Sequence, residues 1–168
     1  MFRVGDTIIH PRFGAGVVID IKELGFLGNE KKQYYSIDLL GQRETVVMVP
    51  ARRAAKVGLR YPVSESKLSE VWHILRTEPG ALPDNHDRRC ELLSDKLHGG
   101  DVVQIAEVLR DLAWRREEKR HLTIRGKRLY DEGMMFLAGE IASIQDGDLG
   151  AAEERISKML MASLLPER

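Results

Sequence analysis

The stretch Gly58–Leu75, GLRYPVSESKLSEVWHIL, holds the change of rhythm that decides the fold. Ahead of it the chain runs in short β-branched segments with the pattern of strands. After Ser64 the apolar residues Leu68, Val71, Trp72 and Leu75 recur at three and four, the period of a helix. Gly58 and Pro62 punctuate the change, and Ser64 or Ser66 can cap the helix that follows.

Working back from this boundary, four segments read as strands: DTIIH (6–10), GVVIDIKEL (16–24), QYYSIDLL (33–40) and ETVVMVP (44–50). Pro11, Gly14, Gly28-Asn29 and Gly41 separate them at hairpin spacing. So few residues cannot build two packed sheets, and a small, strongly bent barrel that closes its own edges is the economical solution. Val4-Gly5-Asp6 leading into Thr7-Ile8-Ile9 is a turn-then-strand opening common in SH3-like and Tudor-like barrels.

Working forward, five helices are predicted. The first is stopped by Pro79-Gly80, and Asp84 caps a second with Cys90, Leu93 and Leu97 on one face and Gly99-Gly100 at its end. Asp101 starts a third carrying Val102, Ile105, Ala106, Leu109, Leu112 and Ala113. Thr123 caps a fourth with Leu129, Phe136, Leu137, Ile141 and Ile144, and Asp148 a fifth with Leu149, Ala152, Ile156, Met159 and Leu160. The expected architecture is α+β: a Tudor-like or SH3-like β-barrel over residues 1–60, then a compact five-helix domain over residues 61–168.

The 168 residues are 43% hydrophobic, enough for a real core, and carry a formal net charge of +0, so no global field draws the protein to polyanions. Any nucleic-acid contact must use a local patch. The opening MFRVGDTIIHP lacks the apolar core of a signal peptide and no long apolar run occurs, so a cytoplasmic protein without a membrane partner is expected. The barrel segment is mildly basic and the helical segment mildly acidic, yet Arg110, Arg115, Arg116, Lys119, Arg120, Arg125, Lys127 and Arg128 gather around the join of the third and fourth helices. A second basic group, Arg88 and Arg89, occupies the first turn of the helix in LPDNHDRRCELL (82–93), where the helix dipole would favour acids. That turn is suited to meet something negative.

Catalytic chemistry finds little anchor. His73, His86, His98 and His121 fall on different elements without metal-ligand spacing, and no glycine-rich phosphate loop follows a strand, so neither a metal nor a cofactor is expected. Cys90, the single cysteine, reads as a small core residue, and a cysteine nucleophile could be built only by tertiary contacts. Trp72 and Trp114, at helical spacing among aliphatic residues, read as core.

Five strings in order resemble the CarD/CdnL family of bacterial transcription regulators: FRVGDTIIHPRFGAGVV (2–18), MVPARRAAKVGLR (48–60), NHDRRCELLSDKLHGGD (85–101), QIAEVLRDLAWRREEK (104–119) and HLTIRGKRLYDEGMMFLAGEIA (121–142). The resemblance implies an N-terminal domain that adds its strand edge to the β1 lobe of the RNA polymerase β subunit. It also implies a helical domain lying on promoter DNA at the upstream edge of the transcription bubble, where a tryptophan wedge and basic residues slow bubble collapse. By the same resemblance Arg88 and Arg89 match paired DNA-facing arginines, and Lys127 a DNA-facing basic position. His86 stands where the family usually has the tryptophan. Leu24, Val46, Val47, Met48 and Pro50 lie at the implied polymerase contact, with Leu24 and Met48 where some relatives carry arginine.

The expected function is that of a non-enzymatic, monomeric regulator acting at the bacterial nucleoid. The alternative is a Tudor-like adapter for polymerase or a repair factor, whose helices bind protein and touch no DNA.

Overall fold

In the computed structural model, which describes residues 1–25, 30–145 and 147–165, the chain divides into two compact units, Met1–Pro62 and Val63–Arg168. The Gly28-Asn29 turn lies outside the described residues.

The first unit is a four-stranded antiparallel sheet in the order β1 (Thr7–His10), β2 (Gly14–Leu24), β3 (Lys32–Leu39), β4 (Val46–Pro50). Its fold is Tudor-like. The β2–β3 register shifts between Val18 and Asp20, which leaves Ile19 in a bulge, 47% exposed. A bulge adds local twist, and that lets the long β2 curl. Gly16 is required where β2 crosses β3, because a Cβ there would stand 2.6 Å from Ile37 Cγ2 and 2.8 Å from the Asp38 carbonyl oxygen.

The strand pattern predicts a barrel that closes its own edges, and the closure proves to be minimal. A single bridge joins Ile9 to Arg60, with amide-to-carbonyl distances of 2.7 and 3.1 Å, and β4 has β3 as its only strand neighbour among the described residues. After β4 the chain makes a 3-10 turn, Ala51–Arg53, and a short α1, Ala54–Val57. These place Ala54 and Leu59 over the sheet's core of Ile8, Val18, Tyr35, Ile37, Leu39 and Val49. Near the end of the unit, Tyr61 donates a hydrogen bond to Asp6 at 2.8 Å. The Arg3 amide and this hydroxyl together hold the Asp6 carboxyl below its usual pKa.

His10, at the end of β1, gives the unit a pH dependence. It is 6% exposed, and its Nδ1 accepts the Arg12 amide at 3.1 Å. Burial, and then the nearby Arg12 charge, hold its pKa below the ordinary value. The folded unit therefore takes up this proton less readily than the unfolded chain, whose histidine titrates near about 6.5. Stability is complete above that value and is lost as pH falls below it. Urea denaturation of the wild type at about pH 7.5 and about pH 5.5 should show this loss, and His10→Gln should flatten it.

The second unit holds five helices: α2 (Glu65–Ile74), α3 (His86–His98), α4 (Val102–Lys119), α5 (Ile124–Gln145) and α6 (Leu149–Leu164). The predicted apolar stripes become its core, with Leu75, Leu97, Leu109, Leu137 and Ile156 all 0% exposed. Asp101, Thr123 and Asp148 accept the expected capping hydrogen bonds, from Val103, Gly126 and Ala151. Of the two candidate serines, Ser64 is the cap of α2, accepting from the Lys67 amide at 3.3 Å.

Two helix ends differ from expectation. α2 stops at Ile74, well before Pro79-Gly80, because side chains take its last carbonyls: Arg76 Nε donates to Trp72 and Thr77 Oγ1 to Ile74. The cap of α3 is Asn85, which accepts the Arg88 amide at 3.0 Å, whereas Asp84 has its carbonyl engaged by Arg89. Trp72 is core at 7% exposure, but Trp114 is only partly buried and lines a surface groove of about 300 Å³ with Pro79, Leu82 and Lys119. Among the described residues no helix is long and apolar enough to cross a membrane.

Candidate nucleic-acid interface and sheet edge

The first turn of α3 carries three of the candidate residues, and the structure gives them different environments. Arg88 is exposed. Arg89 is 6% exposed, and its Nη1 donates to the carbonyls of Pro83 at 3.0 Å and Asp84 at 2.9 Å. The guanidinium thus fastens the loop that leads into α3, which corrects the expectation that both arginines face outward. The physical reason is helical geometry: position 89 is next to Cys90 and one turn before Leu93, on the side that packs inward.

His86 is exposed, but its ring folds back onto its own helix. Arg89 Nη2 stands 3.3 Å from His86 Nδ1, and Cys90 Sγ lies 3.8 Å from the same nitrogen. A guanidinium only donates, so Nδ1 accepts and the neutral ring carries its proton on Nε2. Cys90 itself is 2% exposed, so its thiol, although beside an imidazole, is closed to substrate.

Two polar ties hold α3 to its neighbours. Lys96 pairs with Glu107 of α4 at 3.0 Å, and His98 Nε2 meets Glu132 of α5 at 2.7 Å while its Nδ1 faces Ser94 Oγ of the same helix at 3.2 Å. A third contact joins the helix starts: Arg125 Nη1 lies 3.6 Å from Asp87 Oδ1. This brings the first turn of α5, with Lys127 and Arg128 exposed, beside the first turn of α3. His86, Arg88 and Lys127 therefore share one pole of the helical unit, a proximity that sequence separation conceals.

The wider basic cluster is less uniform than its composition implies. Arg110 is 7% exposed, bonded to Asp111 at 2.9 Å and to Thr77 Oγ1 at 2.9 Å, so it serves the core. Arg116 lies 4.9 Å over the Tyr130 ring, and Arg120 is within 3.7 Å of Glu117.

The second candidate surface is the sheet. Register pairs Leu24 with Lys32, Ser36 with Asp20 and Met48, Asp38 with Val46, and Tyr34 with Pro50. Directly paired residues share a face, so Leu24, Val46, Met48 and Pro50 lie on the outer one. Val46 is 49% and Met48 42% exposed. Val47 points the other way and packs against the sheet's core, which removes its side chain from that outer set. Beneath the patch the Ser36 hydroxyl is buried without a hydrogen-bond partner. No group of His, Cys, Asp or Glu among the described residues is arranged to hold a metal ion.

A Tudor-like sheet with an exposed apolar edge, followed by a helical unit with a cationic pole, defines a macromolecule-binding protein. The CarD-like/TRCF RID domain model matches residues 2–62, and the CarD C-terminal domain model matches residues 70–157. "Putative transcription factor YdeB" of Bacillus subtilis (strain 168) is 31% identical over 156 residues, covering 93% of this chain and 97% of that protein. The chain belongs to the CarD family, which supports a transcription-related role.

The separate tasks of the two arginines lead to a test. Arg89→Met should lower the stability of the helical unit by about 2 kcal/mol, because the loop into α3 loses two hydrogen bonds from a charged donor. Arg88→Met should leave stability nearly unchanged. Urea midpoints of the two variants check this, and equal midpoints would mean that Arg89 fastens nothing.

Proposed function

We propose that this protein docks on the RNA polymerase β subunit, at its β1 lobe, through β4 and the outer face of the sheet. From there its helical unit lies on promoter DNA at the upstream edge of the bubble and slows bubble collapse. Arg88 and Lys127 grip phosphates, which supplies affinity without sequence reading. His86, exposed on the same turn, lies at the minor-groove edge. Arg89 acts through His86, as a positioning residue. The protein works as a monomer on the bacterial nucleoid and needs no cofactor.

The observation that carries this reading is the Arg125–Asp87 contact, which gathers His86, Arg88 and Lys127 at one pole of a formally neutral chain. The family and the exposed apolar edge of β4 support the polymerase contact. The net charge of +0 favours the adapter alternative, in which the helices bind protein. The deciding experiment measures open-complex lifetime on one promoter after competitor challenge, with polymerase alone and with the full chain added. A longer lifetime that shrinks as salt rises is expected. An unchanged lifetime with polymerase still bound would leave the adapter as the function.

A further inference from the structure

We infer that Glu140 is a positioning residue that anchors the link between the two units, an inference that rests on the proposed contacts with polymerase and DNA. Glu140 is 0% exposed in the later part of α5, and it is the one charged residue in the buried run Phe136–Ala142. A carboxylate at that depth costs free energy unless it is bonded. Its Oε1 accepts the amide of Val63 at 2.9 Å, a bond that reaches 77 residues back along the chain to the first residue of the helical unit.

Val63 is held a second way. It precedes the cap Ser64, and with Leu68 it occupies the positions of a hydrophobic staple, both side chains packing in the core of the helical unit. Amide and side chain are both fixed, which sets the direction in which the chain enters α2.

On the other side of Pro62 the chain is fixed to the sheet unit. Arg60 bridges Ile9, and Tyr61 donates to Asp6 at 2.8 Å while its ring lies 5.0 Å from that of Phe2. Only Pro62 stands between these two anchors. Its ring locks φ and restricts Tyr61 to extended backbone, so the link has few bonds left about which to turn. A short, stiff link lets a unit docked on one partner present the other unit at high effective concentration. Glu140 also shares α5 with Lys127, about 20 Å away along the helix axis, so anchor and cationic pole belong to one rigid element.

The free full chain tests this without polymerase. Spin labels on Lys56→Cys and Glu153→Cys, both exposed positions, report the distribution of distances between the units, and Cys90, 2% exposed, stays unlabelled. The distribution should be narrow, should broaden in Glu140→Met, and should stay narrow in Glu140→Gln, whose side-chain carbonyl still accepts the Val63 amide. Pro62→Gly, which touches neither core, should broaden it as well. With polymerase and a promoter, the two broadened variants should keep polymerase affinity and shorten the open complex about fivefold, through lost effective concentration. Glu140→Gln should match the unaltered protein. A broad distribution in the unaltered chain, or an unchanged width in both Glu140→Met and Pro62→Gly, would overturn the inference whatever the DNA result. Broadening with an unchanged lifetime, while charge reversal at Arg88 and Lys127 removes the DNA effect, would overturn the positioning role and leave the DNA reading standing. If charge reversal also changes nothing, the DNA reading fails, while broadening still upholds Glu140 as the anchor of the link.

Discussion

Arg88→Glu combined with Lys127→Glu should bring open-complex lifetime down to the value seen with polymerase alone. Both side chains are exposed and lie at the pole where the α3 and α5 starts meet, so the substitutions change charge without disturbing the core. Each phosphate contact removed should lower the salt slope by about one unit, so the pair should lower it by about two. Promoter affinity should fall roughly tenfold or more at moderate salt, for every sequence alike. Polymerase affinity should stay as it is. A triple variant that adds Arg89→Glu would confound the result, because Arg89 holds the Pro83 and Asp84 carbonyls and its loss would loosen α3. An unaltered lifetime in the double variant would reduce the basic pole to a solvated face.

The second large effect belongs to the sheet. Met48→Glu should weaken binding to the polymerase β subunit by about a hundredfold, because it buries an unpaired charge in an apolar contact. Val46→Glu should act in the same direction. Both residues lie on the outer face and are exposed, so urea midpoints should move by no more than about 0.5 kcal/mol. Val47→Pro is a poorer probe. Val47 packs against the sheet's core, and proline would remove a backbone donor from β4, so lost binding could reflect lost folding. Wild-type affinity in both glutamate variants would mean that a different face of the sheet meets polymerase.

The two variant sets are also independent of each other. One alters the helical unit and the other the sheet, in units with separate cores. The glutamate variants of β4 should abolish every factor effect on the open complex by preventing recruitment. Reversal at Arg88 and Lys127 should leave a factor that is recruited but inactive. Adding the two sets together should therefore give no further loss beyond that of the β4 variants alone.

Sequence by itself determined the four strands and the five helices after Ser64, in order, but not the 3-10 turn and α1 over Ala51–Val57, which are too short to carry a periodic signal. The change of period at Ser64, the hairpin spacing before it and the capping residues Asp101, Thr123 and Asp148 are local features, set by which side chains can satisfy nearby backbone groups. The apolar stripes likewise named the core, since burial of one helix face is written in its repeat. Tertiary structure alone decided which charged residues remain available. Arg88 and Arg89 are neighbours with the same chemistry, yet a helix turns about 100° per residue, so one reaches solvent while the other is spent on the loop carbonyls. Arg110 leaves the basic cluster for Asp111 and Thr77 for the same reason. Met48 and Val47 part across the two faces of β4 because side chains alternate along a strand, and which face is covered depends on the residues that pack beneath it. The joining of the α3 and α5 starts through Asp87 and Arg125 depends on how the helices pack, which no spacing along the chain records.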